Sequence, residues 1–501
     1  MVVVGSGAGG GLIAGRLAQA GVRVVVLEAG GYYDESDFDQ VELSAYQRLY
    51  WRGGPTATAD MNVTLQAGTA LGGGTTVNWT NCLRTRPWVR AEWATEHGLA
   101  GVDAAEYERH FDAVSARISV NDRCSDLNGP NQRLRDACDA LGWKFDLVVR
   151  NTDPATYSPE TAGYLGFGDP TGSKQGTMKT YLQDAFDAGA AILVRTCADT
   201  ILVDGGRAAG VAASYADPVS GATARVTVRA PRVVVACGAL ESPALLLRSG
   251  IGGPAVGRNL RLHPVIAISG TYTEPQRGWW GAGMTGIITE FEEPADGYGF
   301  LIEAPQYTTA SAAAFVPWLS GESHKTLMGN GANSSWSIGL VRDHGSGAVT
   351  IDAAGEAVVT YDITDEVDVA TFGRCIDAMV RAHAAAGAIE IAALAEGLPT
   401  WQAGDDLDAF IERLQAIPLR AGGYRIFSAH QMGTCRMGND PAVSVAGPFG
   451  EVHDTPGVWI GDGSAFPTPS GTNPMLSIMA LADRTADAIL ADLGAPERAT
   501  S

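Results

Sequence analysis

The first thirty residues alternate between short apolar runs and glycine or polar positions. Residues 2–4 are a run of valines typical of a buried strand. Residues 12–18 carry leucine and alanine at helical spacing, and Gly21 is a typical helix terminator. Residues 22–27 form a second apolar run that ends at Glu28. This pattern predicts a strand, a tight turn, a helix and a second strand.

The rest of the chain does not continue as a simple alternation of strands and helices. Apolar and polar residues alternate over 192–215, which indicates antiparallel strands, and residues 231–250 indicate an apolar strand, a Gly-Ala turn and a short helix. The remaining segments are predicted as a glycine-rich loop (68–79), charged helices (85–140), a loop-rich region (150–180), mixed strands and helices (261–425), a strand (458–460) and a helix (474–490). A nucleotide-binding domain built from separated pieces, with another domain inserted, explains this order.

The glycines of the first turn match a dinucleotide-binding pattern. Gly5, Gly7 and Gly10 form GxGxxG between the first strand and the helix. Glycines at these positions let a pyrophosphate approach backbone N–H groups at the amino end of the helix, where the helix dipole favours anions. Glu28 follows Gly5 by 23 positions, the spacing expected for a carboxylate on a ribose hydroxyl. The unit predicts a bound dinucleotide, NAD or FAD, and does not distinguish the two.

Composition and charge exclude several classes of protein. The chain has 501 residues, more than the roughly 250–300 at which a single core stops growing, so two domains or one large composite are expected. Its 46% hydrophobic and 18% charged residues are typical of a globular protein and argue against disorder. A net charge of −21 repels phosphate backbones and anionic lipid surfaces, so neither nucleic acid nor an anionic membrane is an expected partner.

Cysteine usage and the absence of long apolar stretches predict the compartment. Seven cysteines, without any CxxC pair, favour reduced thiols over a disulfide scaffold. Met1 leads directly into an apolar strand without a secretory signal, and no stretch of about 20 apolar residues indicates a membrane helix. We therefore expect a cytoplasmic protein without a membrane span. These features leave open the oligomeric state and whether residues precede Met1 in the native chain.

The stretch SAHQMGTCRMG, residues 428–438, concentrates sulfur and imidazole side chains. A structural zinc site needs four nitrogen or sulfur ligands, whereas His430 and Cys435 supply two, so no metal is predicted. The methionines are typical core fillers, and a buried thiol is a simpler interpretation of Cys435 than a reactive one. His430 is a candidate proton acceptor, because a neutral imidazole near physiological pH suits that role.

Four segments, in this order, resemble the glucose–methanol–choline (GMC) flavin oxidoreductase family. They are the amino-terminal GxGxxG with Glu28, the loop GTALGGGTTVN, the segment GALESPALLLRSGIG followed by VGRNLRLHP, and GDGSAFPTPSGTNPMLSIMALADRTADAIL. The resemblance spans almost the whole chain. The segments FSAHQMGTCRMG, GGGTTVNWTNCLRTRP and RDHGSG look most like those of the long-chain alcohol oxidase branch of the family.

The resemblance implies an α/β fold of two domains. One is a Rossmann-like FAD-binding domain assembled from discontinuous segments, and the other is an α+β substrate domain with a mostly antiparallel sheet. The implied FAD-binding pieces are residues 1–140, 185–260 and 425–501, the last of which carries the catalytic residues. Residues 141–184 would form a substrate or lid segment, and residues 261–424 the substrate-binding domain.

The resemblance also implies which residues contact FAD. Asn78 and Asn81 would approach the isoalloxazine, and Ala198 would contact adenine through its backbone. Asp462 would lie near the ribityl chain or the pyrophosphate, although an Asp-Gly turn also explains it. Some relatives attach FAD through a histidine where this chain has Val77, so non-covalent FAD is expected. The implied set is Gly5, Ser6, Gly7, Ala8, Gly10, Glu28, Ala29, Gly68, Thr69, Gly73, Gly74, Asn78, Trp79, Asn81, Ala198, Asp462, Gly463, Asn473, Pro474 and Met475.

The resemblance places the catalytic pair at His430 and Asn473. His430 would take the hydroxyl proton of an alcohol while hydride passes to N5 of the flavin, and Asn473 would orient the oxygen. Asn is a favoured N-cap and Pro a favoured first helical residue, so a helix is predicted to begin at Pro474. Its positive end would stabilise reduced flavin. Asn473 cannot easily cap this helix and bind the substrate with the same oxygen.

A hydrophobic alcohol is the expected substrate, oxidised to an aldehyde or ketone. The inserted region is rich in large apolar side chains that could line its pocket, although each could instead belong to the domain core: Trp279, Trp280, Met284, Phe315, Trp318 and Trp336. Arg342, Asp343 and His344 resemble the family, but a surface turn explains them equally well. Relatives often carry several cysteines near TAGYLGFGDPTGSKQGT, and this chain has none there.

Several activities remain open within this resemblance. An oxidase would pass electrons to oxygen, and a dehydrogenase would pass them to a quinone or a protein acceptor. Some relatives are lyases that keep FAD but cleave cyanohydrins, and others use flavin photochemistry on fatty acids. A non-enzymatic FAD-binding protein is the last alternative.

Overall fold

The computed structural model describes residues 1–494. The helices in this range are α1 (Ala8–Gln19), α2 (Glu42–Leu49), α3 (Gly74–Val77), α4 (Pro87–Thr95), α5 (Glu108–Arg117), α6 (Gly129–Leu141), α7 (Pro159–Ala162), α8 (Tyr181–Asp187), α9 (Gly238–Ser249), α10 (Thr309–Phe315), α11 (Gly321–Gly329), α12 (Glu366–Ala385), α13 (Leu407–Gln415) and α14 (Met475–Asp492).

The strands in the same range are β1 (Val2–Val4), β2 (Val25–Leu27), β3 (Thr56–Ala57), β4 (Val63–Leu65), β5 (Val120–Asn121), β6 (Phe145–Leu147), β7 (Arg150–Asn151), β8 (Ala191–Leu193), β9 (Thr196–Asp204), β10 (Arg207–Ala216), β11 (Thr223–Arg229), β12 (Val233–Val235), β13 (Val265–Thr271), β14 (Gly286–Ile288), β15 (Phe300–Glu303), β16 (Ser334–Val341), β17 (Ala348–Ile351), β18 (Ala357–Thr360), β19 (Glu390–Ala393), β20 (Thr400–Gln402), β21 (Ile426–Ser428) and β22 (Val458–Ile460).

A five-stranded parallel sheet carries the amino-terminal turn. Its strand order is β22-β12-β1-β2-β8, so it combines segments from both ends and the middle of the chain. The valines of β1 and β12 are buried, as expected for central strands covered by helices on both faces. Helix α1 packs against α14 and α8. The predicted Rossmann-like domain built from discontinuous segments is confirmed.

The second strand of this sheet is shorter than the sequence pattern predicts. The apolar run of residues 22–27 was expected to be entirely strand, but β2 begins at Val25. Val25 pairs with Val2 of β1 and with Ala191 of β8, and β1 has only one residue before Val2. Arg23 and Val24 still accept backbone hydrogen bonds from Met1 and Ala191, at 2.8 and 3.0 Å, but they lie before the first paired residues of the ladder.

A ten-stranded, mostly antiparallel sheet forms the second layer, as predicted. Its main path is β3-β4-β21-β13-β16-β15-β14-β6, and β19 and β20 join it through β13. The pairing of β4 with β21 is parallel, while the pairings of β13 with β16 and of β15 with β16 are antiparallel. Helices α12 and α6 pack on this sheet through β16 and β14. A separate three-stranded antiparallel sheet, β11-β10-β9, confirms the antiparallel strands predicted within residues 192–215, except that Ile192 and Leu193 belong to β8, a parallel strand of the first sheet.

Some elements pack with the other sheet than the predicted domain boundaries imply. Helix α6 packs on α12 and β14, although residues 1–140 were assigned to the FAD-binding domain. Strands β3, β4 and β21 also belong to the ten-stranded sheet, although residues 56–65 and 426–428 were assigned to that same domain. The large sheet thereby holds β21, and His430 follows two residues after its end. Within residues 1–494, none of the helices combines the length and apolar character needed to cross a membrane.

Candidate active site

His430 follows directly after β21, and its ring is partly exposed to an internal cavity. Its backbone N–H donates to Ser428 Oγ at 3.1 Å, and the Ser428 hydroxyl in turn donates to the carbonyl of Leu262. This bonding holds the chain as it leaves the sheet. Burial lowers the pKa of His430 to about 4, so the imidazole is neutral at physiological pH.

The sulfur side chains after His430 belong to the core. Met432, Cys435 and Met437 are at most 1% exposed. The backbone N–H groups of Cys435 and Met437 donate to the backbone carbonyls of residues 464 and 465, each at 2.8 Å. Burial raises the pKa of the Cys435 thiol well above its usual range, which suits an inert packed thiol. No cluster of potential metal ligands occurs among residues 1–494.

His263 lies against His430 and was missed at the sequence level. The Nδ1 atoms of the two rings are 3.3 Å apart, and the backbone N–H of Gly471 donates to His263 Nε2 at 3.1 Å. His263 is completely buried, which lowers its pKa well below the usual value, with His430 and then Arg342 as further causes. The only signal in the sequence was its position at the end of VGRNLRLH, a segment already noted for its family resemblance.

Asn473 faces the same cavity, and its side chain does not cap a helix. Helix α14 begins at Met475, with Pro474 in the N-cap position and no side-chain cap. The prediction that Asn473 caps a helix starting at Pro474 is therefore wrong by one residue. The Oδ1 atom of Asn473 is buried without a hydrogen-bond partner among the described residues. This oxygen can therefore accept a hydrogen bond from a ligand, which removes the conflict between capping and substrate binding.

The cavity that holds His430 and Asn473 has a volume of about 160 Å³ and a mostly apolar wall. A surface groove of about 530 Å³ adjoins it and shares with it Tyr46, Ser311, Phe315 and Arg425. The groove therefore lies next to the cavity that holds His430. The apolar wall includes Val265, Met284, Phe315, Trp336, Ile338 and Leu394.

Half of the large side chains proposed for the pocket do line this cavity. Met284, Phe315 and Trp336 are in its wall. Trp279 and Trp318 are instead 42% and 68% exposed, and Trp280 donates from its indole N–H to Glu160. The sequence identified a region rich in aromatic residues, but their direction depends on pairings of distant strands.

Arg342 and Asp343 are structural residues and do not form a surface turn. Both are buried; Arg342 contacts Glu92 and the Pro469 carbonyl, and Asp343 accepts from the backbone N–H groups of Leu262 and His263 at 2.9 Å. Asp343 thereby fixes the backbone of His263, whose φ of 44° is unusual for a residue other than glycine. His344 is partly exposed and pairs with Asp365.

The amino end of α1 offers a cradle that fits the predicted pyrophosphate of FAD. Gly7 is the N-cap, and no side chain caps the helix, so the first N–H groups of α1 lack the usual partner. A Cβ on Gly9 or Gly10 would collide with the carbonyl oxygen of Gly461 or Gly5, whereas a Cβ on Gly7 would meet no atom within 4 Å. Gly5, Gly9 and Gly10 therefore serve close packing, and open space remains beside Gly7 for a ligand.

Glu28 lies at the end of β2, next to this cradle, as predicted. Its Oε2 accepts from the hydroxyl and the backbone N–H of Ser6, at 2.6 and 3.2 Å, and its Oε1 accepts from Gly30 N–H at 2.7 Å. Burial raises its pKa despite these donors. Oε1 accepts one bond and can accept a second, which fits a ribose hydroxyl. Ala29, the next predicted contact, is exposed.

The second glycine-rich loop meets the first turn. The N–H of Gly72 donates to Ser6 Oγ at 2.9 Å, and Gly73 approaches so closely that a Cβ would lie 2.8 Å from the Gly7 Cα. Residues 74–77 form α3, a short helix within the segment predicted as loop. Gly68 packs against Gly73, and Thr69 against Gly30. The predicted contacts of the two loops are thus brought together.

The residues after α3 lie between the cradle and the cavity. The Asn78 amide N–H donates to Met475 Sδ at 2.8 Å, which joins two predicted FAD contacts. Trp79 lines the cavity, and both amide atoms of Asn81 are buried without a partner among the described residues. Unpaired buried polar atoms at one place call for a ligand, and flavin supplies hydrogen-bonding groups that fit them.

Two predicted contacts use their polar groups within the protein. The Asp462 carboxylate accepts from Ser464 N–H and Oγ and from Gly238 N–H and Ser242 Oγ. It therefore ties the Asp462–Gly463 turn to the start of α9. The Ala198 carbonyl accepts from Arg248 at 3.2 Å. A contact of either residue with FAD stays a prediction.

Lys174 holds the loop that carries Asn78. It is 6% exposed, and its Nζ donates to the carbonyls of Thr76, Asn78 and Leu165, each at 2.7 Å. We expect Lys174→Met to lower the free energy of unfolding by roughly 2–5 kcal/mol, because three buried carbonyls lose their donor. Urea unfolding of both FAD-loaded proteins measures this difference.

Lys179→Met is the matched control for this change. Lys179 forms a half-buried pair with Glu35 near the surface, and surface pairs contribute about 0–1 kcal/mol. Equal losses in the two variants would show that Lys174 does not hold the loop.

Family models and known proteins that resemble this chain agree with the geometry. Two models described as GMC oxidoreductase match residues 46–265 and 343–482. The long-chain-alcohol oxidases FAO4A and FAO4B of Arabidopsis thaliana are 34% and 35% identical to this chain over 96% of its length. The chain spans 67% and 66% of those two proteins, about two thirds. Among solved structures, a formate oxidase variant from Aspergillus oryzae, studied for FAD modification, matches with a TM-score of 0.71 and 15% identity over 98% of both chains.

Proposed function

The chain belongs to the GMC oxidoreductase family, and we propose that it is an FAD-dependent enzyme that oxidises hydrophobic alcohols to aldehydes or ketones with oxygen as acceptor. The observation that carries the proposal is the apolar cavity that ends at His430 and Asn473. His430 and Asn473 offer polar groups for a hydroxyl, and the apolar part of the wall suits an alkyl or aryl group.

FAD would be held non-covalently in this proposal. The uncapped start of α1, Glu28 and the loop of residues 68–74 would hold its phosphates and ribose, and Asn78 and Asn81 would face its ring. Val77 precedes Asn78 and has no group that could form a bond to flavin. When bound, FAD would supply a two-electron oxidant for the alcohol.

The protein's own groups bind and orient the alcohol. Asn473 would accept a hydrogen bond from the substrate hydroxyl at its unpaired Oδ1, and His430 would contact the same hydroxyl. The prediction that His430 takes the hydroxyl proton stays a prediction. Trp336, Met284 and their apolar neighbours exclude water from the reacting carbon.

The proposal predicts a preference for apolar alcohols. Each methylene buried in the cavity adds up to about 0.8 kcal/mol of binding, which corresponds to roughly a three- to fourfold gain in kcat/KM until the cavity is filled. Oxygen consumption with a series from ethanol to dodecanol measures this gain, and glycerol serves as a polar control. Equal kcat/KM values for glycerol and decanol would contradict an apolar substrate site.

The same assay separates the alternative activities. Turnover with a quinone but without oxygen consumption would indicate a dehydrogenase. Cleavage of a cyanohydrin without flavin reduction would indicate a lyase. Long-chain alcohols are the first substrates to test, because FAO4A and FAO4B, which are similar to this chain, are named for them.

A further inference from the structure

An arginine lies where the surface groove meets the catalytic cavity. Arg425 lines both of them and directly precedes β21. Phe427 and Ala429 line the cavity as well, because alternate residues of an extended chain share a face. In an extended chain the Cα atoms of Arg425 and His430 are at most about 18 Å apart, so a single long-chain molecule can reach both side chains.

The guanidinium of Arg425 is exposed and uncommitted. Its backbone N–H donates to the Leu394 carbonyl at 2.9 Å, but its side chain has no hydrogen bond, ion pair or ring contact within residues 1–494. The other arginine of the groove is occupied, because Arg52 donates to the Ala357 carbonyl at 2.8 Å and lies over the Trp51 ring. The five N–H donors of Arg425 are therefore available to a ligand.

The charges of the groove favour an anion. The chain carries a net charge of −21, yet the charged side chains of the groove are two arginines and one glutamate, Glu396. Glu396 forms no ion pair with Arg425 among the described residues. A locally positive groove on an acidic protein attracts anions to that place and not to the surrounding surface.

The charge near the reacting end of the cavity has the opposite sign. Glu303 ends β15, is 0% exposed, and lines the cavity close to Asn473. Burial raises the pKa of Glu303 to about 7, so most of it is charged above neutral pH. An anionic group on a substrate is therefore repelled from the neighbourhood of Asn473 and attracted to Arg425. This asymmetry would orient a molecule that has a hydroxyl at one end and an anion at the other.

A carboxylate on an alkyl chain is the anion that fits this place. A guanidinium binds a carboxylate through two parallel hydrogen bonds, and one uncommitted cation matches the single charge of a carboxylate better than the double charge of a phosphate ester. Phe315 and Phe427, whose ring centroids are 5.6 Å apart, present apolar surface to the cavity. An alkyl chain between the two polar ends would cover that surface.

We propose that Arg425 binds a carboxylate at the far end of the alcohol, so that the preferred substrates are long-chain hydroxy acids whose hydroxyl and carboxylate lie at opposite ends of an alkyl chain. This inference rests on the proposed alcohol oxidation and names the substrate class of the same site. The hydroxyl contacts His430 and Asn473, and the alkyl chain packs along Phe427. The carboxylate pairs with the guanidinium and takes no part in the oxidation, which still removes two electrons from the alcohol.

The first test compares ω-hydroxydodecanoate with its methyl ester, which has the same chain and hydroxyl but no charge. In the FAD-loaded parent we expect the second-order rate constant of anaerobic flavin reduction to be about 10- to 100-fold higher for the acid. Arg425→Met should bring this ratio to about 1, and Arg425→Lys, which keeps the charge without the planar fork, should retain part of it. The loss should appear mainly as weaker saturation, because Arg425 contacts the substrate away from the reacting carbon.

The matched control is Arg420→Met. Arg420 is exposed, lies five positions before Arg425, and is in neither the groove nor the cavity wall. Its replacement changes the net charge by the same amount, so the acid-to-ester ratio of the parent should persist. An equal loss in both variants would attribute the preference to overall charge and overturn the proposal.

Charge reversal at Arg425 guards against a merely damaged fold. Arg425→Glu should reduce flavin faster with ω-aminododecanol than with ω-hydroxydodecanoate, because the new carboxylate attracts the ammonium group and repels the acid. A distorted cavity would slow both substrates without exchanging their order. An unchanged order in this variant would contradict a contact between Arg425 and the far end of the substrate.

A second measurement does not depend on turnover. Dodecanoate lacks a hydroxyl and cannot be oxidised as an alcohol, and calorimetric titration of the FAD-loaded protein measures its binding. We expect binding to be at least about 10-fold weaker in Arg425→Met than in the parent or in Arg420→Met, and to weaken with added salt. If alcohols reduce the parent but the acid has no advantage over its ester, only the role of Arg425 fails. If neither alcohols nor hydroxy acids reduce the parent, the alcohol oxidation fails and the inference fails with it.

Discussion

Replacing His430 with alanine is expected to slow alcohol-dependent flavin reduction by about 100- to 10,000-fold while FAD remains bound. The imidazole is the group at the inner end of an apolar cavity that can contact the substrate hydroxyl. Its removal takes away one of the two groups, with Asn473, that would contact the substrate hydroxyl in a largely apolar site. Stopped-flow absorbance of the flavin under anaerobic conditions measures the rate.

His344→Ala is the matched control for this variant. His344 is partly exposed and pairs with Asp365 at 2.9 Å, and it is not in the cavity wall. We expect the parent's rate of flavin reduction. A His430→Ala enzyme as fast as this control would rule out any role of His430 at the hydroxyl, whether as proton acceptor or as hydrogen-bond donor.

Gly7→Val is expected to abolish FAD binding while the protein still folds. The backbone of Gly7 is extended, with φ −64° and ψ −162°, so valine is not strained there. Its side chain would occupy the open space beside the uncapped end of α1, where the phosphates of FAD would lie. We expect an affinity loss of at least about 100-fold, because the N–H groups can no longer reach the anion. Fluorescence titration of the apoprotein with FAD measures it, and circular dichroism reports the fold.

Gly373→Ala provides the control for adding a side chain at glycine. Gly373 lies within α12, away from the cradle, and a Cβ there meets only the end of the Gln415 side chain at 3.9 Å. Alanine in a helix interior stabilises by roughly 0.5–1 kcal/mol relative to glycine, so this variant should bind FAD normally. Undiminished FAD affinity in Gly7→Val would place the pyrophosphate elsewhere.

The parts of the fold encoded by local patterns were predictable. Val2–Val4, the glycine turn and Glu28 lie within one strand–helix–strand unit, whose spacing alone determines the geometry. The strands β9 and β10 followed from alternation of apolar and polar residues, since each has one covered face. Local patterns placed the starts of β2 and α14 too early. The start of a strand depends on its neighbouring strands, and the start of a helix depends on the direction of the capping side chain.

The parts of the site that depend on distant contacts were not predictable. Glu303 ends an otherwise apolar strand, and nothing in its neighbourhood in sequence shows that β15 passes the cavity of His430. His263 contacts His430 across 167 positions of the chain. A carboxylate in a strand of buried residues was a usable signal for Glu303, because such a group requires a partner or a function. The direction of Trp318 and Trp279 likewise follows from packing alone.

The proposed function is the oxidation of a hydrophobic alcohol at His430, Asn473 and bound FAD. Its most direct test is anaerobic titration of the FAD-loaded protein with decanol, followed by absorbance of the flavin and then by admission of oxygen. We expect the flavin absorbance to bleach with decanol and to recover in oxygen, and we expect glycerol to have little effect. A protein that holds FAD and whose absorbance stays unchanged with every primary and secondary alcohol tested would contradict it.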